Sequence, residues 1–295
     1  MTAAGGVVDA HHHLWDLPAG HHRWLSDAPD GTPEATLAAQ APHYGPTEYR
    51  RDVEAWGVVA TVHVQADWDP ADPAGETRWL QELHDRTGTP DAIVGQARLQ
   101  SPDVEEVLRS HLRHPLFRGI RQTLAWGEPE GLMSSRAWRR GFAQLEALGL
   151  SFDMSVLPGQ LVDAAALARV FPGTSIVLDH AGLPEPVGAD RAVWRDGLRR
   201  LAECENVTVK VSGITQPRRS TAEIEEDAAE VIETFGCHRA MFATNLPVEH
   251  LEGSVQSLVD ALDAVLVRRP DDERTAVWAG TATRVYRLPE SLAAA

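Results

Sequence analysis

The run Val7-Val8-Asp9-Ala10-His11-His12-His13 sets two β-branched residues ahead of three consecutive histidines. It reads as a buried strand. Residues two apart on a strand share a face, so His11 and His13 project together while His12 points away. Two neutral imidazoles converging on one point are half of a metal site. A purification-tag remnant would follow a flexible leader, whereas these histidines continue an apolar strand. Further along, other reactive side chains sit where apolar runs end: His63 and Gln65, Arg121 and Gln122, Asp153, Asp179 and His180, Lys210 and Ser212, Thr244 and Asn245. Histidines at three strand ends, beside carboxylates, have the composition of a metal centre.

Such residues act together only if one scaffold gathers the strand ends. After the first strand, apolar runs at 58–65, 93–99, 117–123, 150–156, 175–180, 207–212 and 239–245 read as seven more. Helical stretches separate them, at 47–56, 76–86, 137–148, 160–170, 191–204 and 254–267. Ser101-Pro102 reads as a helix start, and Ser220 with Glu223 as a capping box. This rhythm predicts a single α/β domain over 1–295, a (β/α)8 TIM barrel, with its site at the C-terminal ends of the strands. An open doubly wound sheet would carry a Gly-rich phosphate turn after an early strand, and none is present. A Pro-, Gly- and His-rich stretch at about 21–46 reads as a long loop excursion, and the Ala-rich end is expected to fray.

Composition narrows the partners. The 295 residues carry a net charge of −16 with 27 basic side chains, which opposes binding to nucleic acid or an anionic membrane. Cys204 and Cys237 form no C-x-x-C pair, in keeping with a reduced cytoplasm. No basic, then apolar leader opens the chain, and no apolar run approaches ~18 residues. A small-molecule substrate is the expected partner. A homodimer is open, since barrels of this size often pair.

Six segments fall in order along nearly the whole chain: Asp9-Ala10-His11-His12-His13-Leu14-Trp15-Asp16, Glu76-Thr77-Arg78-Trp79-Leu80, Arg118-Gly119-Ile120-Arg121, Val177-Leu178-Asp179-His180-Ala181-Gly182-Leu183-Pro184, Lys210-Val211-Ser212-Gly213 and Asn245-Leu246-Pro247-Val248. Together they resemble the amidohydrolase-2 branch of the amidohydrolase superfamily, which includes sugar-lactone and pyrone-dicarboxylate lactonases and decarboxylases. The resemblance implies a metal-supporting barrel with His11, His13 and His180 as ligands. It also implies that Arg121 holds a substrate carboxylate or oxygen, a task suited to its planar fork. Gln122 and Trp15 are expected to line the same pocket.

The departure is at strand eight. Lactonases of this branch usually end that strand in Ser-Asp-x-Pro, whose aspartate takes a proton from water; here the run is Thr244-Asn245-Leu246-Pro247. An amide can ligate a metal through oxygen but is no proton acceptor near neutral pH. Losing a general base costs about 10²–10⁴-fold. A hydrolase would therefore need another base, with Asp153, Asp179 and Glu76 as candidates. Charge balance also asks for a carboxylate near the ion: Glu76 or Asp153 could bridge two ions, His63 or His12 could complete a second site, and Asn245 could ligate through its amide oxygen, for one ion or two. Iron suits histidine with carboxylate, and zinc or manganese would also fit. Because some barrels with Asn here are thought to be oxygenases, the favoured expectation is a non-haem, dinuclear iron monooxygenase hydroxylating an apolar small molecule. The alternative is metal-dependent opening of a lactone or amide. Lys210 as a Schiff-base nucleophile and a non-catalytic barrel are the remaining readings.

Overall fold

Apolar, β-branched runs build eight strands: β1 Val7–His12, β2 Val58–Val64, β3 Ala92–Gln96, β4 Phe117–Thr123, β5 Ser151–Ser155, β6 Ile176–Leu178, β7 Val207–Val211 and β8 Ala240–Phe242. In this computed structural model, which describes residues 6–184, 190–215 and 219–289, they form one parallel sheet in chain order. The sheet closes on itself where Asn245 N–H donates to the His11 carbonyl and His13 N–H to that of Leu246, both at 2.7 Å. A helix follows each strand: α1 Pro46–Val53, α2 Gly75–Thr87, α3 Val104–His111, α4 Arg136–Ala147, α5 Leu161–Val170, α6 Asp190–Ala202, α7 Thr221–Phe235 and α8 Val255–Leu266. The expected (β/α)8 barrel is present. The Ala-rich end lies outside the described residues.

Capping explains several helix starts. Ser220 and Glu223 form the expected capping box of α7, and Ser135 and Ser254 cap α4 and α8. Ser101-Pro102 does not start α3, which begins at Val104 with no side-chain cap. The Ser101 hydroxyl bonds the Asp103 carboxylate and not a helix N–H.

The 21–46 stretch is more ordered than its composition suggests. It holds helices Arg23–Ser26 and Pro33–Gln40, and Trp15–Asp16 pairs antiparallel with His43–Tyr44 beside it. These elements are too short to show periodicity. Indole donors hold them down: Trp15 Nε1 reaches the Ala41 carbonyl and Trp24 Nε1 that of Ala66, each at 2.7 Å.

Strand alternation makes two apolar layers. Outward residues such as Ile120, Phe152 and Val209 pack on the helices. Inward residues, among them Val8, Ala10, Val62, Val94, Val177 and Met241, form a separate cluster with Ala282, Val285 and Tyr286. The C-terminal helix Thr281–Tyr286 thus plugs one end of the barrel. Arg118, at the start of β4, donates to the Tyr286 carbonyl, which marks this as the end where strands begin. The opposite rim is left for chemistry.

Along β1 the alternation breaks. Ala10 faces the lumen, yet its neighbour His11 also points inward, and the β1–β2 register shifts between Asp9 and His12. A bulge there re-aims the histidines, as bulges beside active sites do. Asp9 fastens the distortion. Its carboxylate accepts from His11 N–H (3.1 Å), Thr244 N–H (2.8 Å), Thr244 Oγ1 (2.7 Å) and the Tyr49 hydroxyl (2.7 Å). Asp9 thus ties β1 to the end of β8 and to α1. Asp9→Ala would leave buried donors unmet and is expected to destabilise the protein by roughly 2–3 kcal/mol, read as a lower urea midpoint.

Candidate metal centre

The two strand-one imidazoles meet inside the rim. His11 Nε2 and His13 Nε2 are 3.2 Å apart, and both residues are buried. His13 Nδ1 lies 2.7 Å from the Val64 carbonyl, which can only accept, so Nδ1 carries the proton and Nε2 presents a lone pair. The His180 ring centroid is 4.6 Å from that of His11. His180 Nδ1 bonds Ser212 Oγ at 3.0 Å, leaving Nε2 as its remaining ring nitrogen. The backbone at His180 is left-handed (φ 52°), which swings the ring off the end of β6. Gly213 makes room for it, because a Cβ at that glycine would lie 2.8 Å from His180 Cβ.

Behind the imidazoles lies a buried charge network. Lys210 Nζ sits 2.5 Å from Asp153 Oδ2, 2.9 Å from Asp179 Oδ1 and 3.2 Å from His11 Nδ1. The Tyr286 hydroxyl donates to Asp153 at 2.7 Å. Burial alone would raise the Asp179 pKa, but Lys210 and His11 hold it well below the usual carboxylate range. Asp179 is therefore ionised, and its Oδ2 has no hydrogen-bond partner among the described residues. Arg121 Nη2 donates to the Gln65 carbonyl at 2.5 Å. Its charge helps lower the pKa of both His13 and His180.

This donor set fits a divalent cation. One ligand atom each from His11, Asp179 and His180 lie within 4.8 Å of one another, and His13 Nε2 faces His11 Nε2. Among the described residues no other group of three such side chains is so close. The outer partners, a backbone carbonyl for His13, a hydroxyl for His180 and Asp179 Oδ1, 3.4 Å from His11 Nδ1, are those that orient ligating histidines with Nε2 free.

Burial keeps the imidazoles neutral. It lowers the pKa of His11, helped by Lys210, and those of His12 and His13; His180, and His111 at the end of α3, are pushed down to about 4. An unfolded chain protonates its histidines near 6.5, so between pH 6.5 and 4 it binds protons that the fold does not. The metal-free protein should lose stability as pH falls through that window, by up to about 1.4 kcal/mol per pH unit for each histidine. Urea midpoints at pH 7.5, 6 and 5 measure it; a flat series would contradict the neutral cluster.

Other expected site residues are placed elsewhere. Gln122 alternates with Arg121 and faces the helices, where Oε1 accepts from Leu99 N–H and Trp138 Nε1 and Nε2 donates to Gln100 and Glu128. Trp15 is buried against Trp24 and Tyr44. Neither reaches the lumen. His63 also points outward. Its Nδ1 accepts from Leu14 N–H at 3.1 Å, so its proton is on Nε2, aimed at Glu76 Oε1 3.3 Å away. No lone pair remains for a metal. Glu76 is thus apart from the three imidazoles, and its Oε1 also accepts from Ala66 N–H at 2.8 Å. Asp153 and Lys210 are fully buried and bonded to each other, which leaves no opening for a base or a Schiff-base nucleophile. Asn245, at the rim with φ 58°, directs Nδ2 toward Glu249 Oε2 at 3.5 Å.

Sequence reasoning passed over Asp9, Tyr286 and His22. A carboxylate inside an apolar strand was a usable signal for Asp9; His22 lies in a His-rich stretch that reads only as a loop, and nothing near Tyr286 marked it.

A family model described as amidohydrolase matches residues 8–288. The chain belongs to the amidohydrolase family. Among curated relatives, an uncharacterized protein (y4mH) of Sinorhizobium fredii is 34% identical over 96% of this chain and 98% of its own length. An L-fucono-1,5-lactonase of Burkholderia multivorans is 30% identical, covering 96% of each chain. Among solved structures, an amidohydrolase from Burkholderia multivorans with bound zinc superposes with a TM-score of 0.83 at 30% identity, over 96% of this chain and 100% of that one. Family membership makes this amidohydrolase an enzyme. None of its described helices is long and apolar enough to cross a membrane.

Proposed function

We propose that this amidohydrolase opens a lactone of a small hydroxylated acid by metal-dependent hydrolysis. The observation that carries the reading is the pair of Nε2 atoms of His11 and His13, 3.2 Å apart, beside His180 and an ionised Asp179. The lactone class is supported by relatives named L-fucono-1,5-lactonase, at 30% and 29% identity. Zinc is supported over iron by the zinc-bound relative.

His11, His13 and His180 would hold the cation. A divalent ion in such a place polarises a carbonyl and makes water easier to deprotonate. Arg121, anchored on Gln65, is positioned to hold the lactone carbonyl oxygen or the carboxylate that ring opening creates. Asp179 keeps Oδ1 on Lys210 and leaves Oδ2 to take the proton of the attacking water. That proton then passes to the departing ring oxygen. Arg121→Met should lower kcat/KM by roughly 10–100-fold, the worth of a charged hydrogen bond, with metal content unchanged.

This reading replaces the iron oxygenase as the leading one. That expectation rested on the missing strand-eight carboxylate, and Asp179 offers a carboxylate oxygen at the site without it. The deciding experiment runs a pH-indicator assay on 1,4- and 1,5-aldonolactones alongside oxygen uptake, with zinc- and iron-loaded protein. Ring opening that disappears on chelation and returns with zinc is expected. Oxygen consumption by the iron form, with every lactone left closed, would overturn it.

A further inference from the structure

On the helix side of β2, away from the three imidazoles, three buried residues from separate segments converge. His22 precedes the first short helix, Glu76 lies in the first turn of α2, and His63 is on β2; each is at most 1% exposed. His63 is satisfied, as described above, but its neighbours are not. Both ring nitrogens of His22 lack a hydrogen-bond partner among the described residues, and so does Glu76 Oε2. Buried polar atoms left without partners call for an ordered water or an ion.

The spacing favours an ion. Oε2 is the Glu76 oxygen left without a partner, and Oε1 of the same carboxylate lies 3.7 Å from His22 Nε2. That is too long for a hydrogen bond. It is close to the separation of a nitrogen and an oxygen that each bind one cation at about 2.1 Å, with an angle between them somewhat wider than tetrahedral. The site is also sheltered. The His22 ring stands edge-on to Trp68 and Trp79, at centroid distances of 5.1 and 6.4 Å. The same two tryptophans line a surface cavity of about 250 Å³ in which Arg78 is paired with Asp72, leaving Asp16, Asp69 and Glu82 as carboxylates suited to drawing in a cation.

We propose that His22 and Glu76 form a second, weaker divalent-cation site that completes its coordination with water. It is separate from the lactone-opening centre and does not depend on that assignment. Its place between the 21–46 excursion and α2 gives it a role in tying that excursion to the barrel.

The test is titration of zinc-loaded protein with Mn²⁺, followed by electron paramagnetic resonance, with zinc counted by elemental analysis. One additional Mn²⁺ per chain is expected in the native protein. It should be lost in both His22→Phe, which keeps the ring packed on the tryptophans, and Glu76→Gln, while the zinc count holds. Saturation without an additional Mn²⁺ would overturn the site, as would its survival in both variants. Loss of zinc in the native protein would instead count against the lactonase centre alone.

Discussion

Replacing His180 by asparagine is expected to give a folded barrel that retains no stoichiometric metal and opens lactones at least ~10²-fold more slowly. The substitution is chosen for the backbone. Position 180 has φ 52°, and asparagine tolerates the left-handed region better than most residues. Its side chain is too short to place a nitrogen where His180 Nε2 lies. Altering a residue that merely orients a ligand costs about 10–100-fold in metal affinity, so removing the ligand should cost at least that much. Ser212→Ala, which removes the hydroxyl 3.0 Å from His180 Nδ1, should fall in that intermediate range. Metal content after dialysis, together with lactone turnover, gives the ranking. His180→Asn with full metal and activity would remove His180 from the centre.

The second large effect is on stability. Lys210→Met would strand Asp153 and Asp179, both fully buried, without the cation now 2.5 and 2.9 Å from them. Breaking a buried ion pair from one side costs about 3–5 kcal/mol, because the remaining charge has no solvent. For a chain of this length that corresponds to a melting temperature lower by roughly 10 °C. Adding Asp153→Asn to Lys210→Met should recover part of the loss, since it removes one of the two uncompensated charges. A double variant no more stable than Lys210→Met would show that the loss arises from repacking and not from charge.

Barrel architecture was legible because each strand is a short apolar run closed by a turn, and each helix has its own period. The rim residues were legible for the same reason: a polar side chain ending an apolar strand is conspicuous. Alternation was the weaker guide. Gln122 and His63 end their strands as visibly as Arg121 and Asp179 do, yet they fall on the outward phase and face helices. Deciding that phase requires knowing which neighbours cover each face. The bulge after Asp9 was invisible too, because it depends on a carboxylate bonded to Thr244, 235 residues away. Tyr286 reaches Asp153 only because the C-terminal helix closes the barrel floor, a contact that no local pattern encodes.

The most direct measurement is anomalous diffraction at the zinc edge from crystals grown with zinc. The expected result is a peak about 2.0–2.1 Å from Nε2 of His11, His13 and His180, with Asp179 adjoining. A rim with no peak, where His11 and His13 simply share a proton between their facing nitrogens, would contradict the metal centre and the hydrolysis built on it.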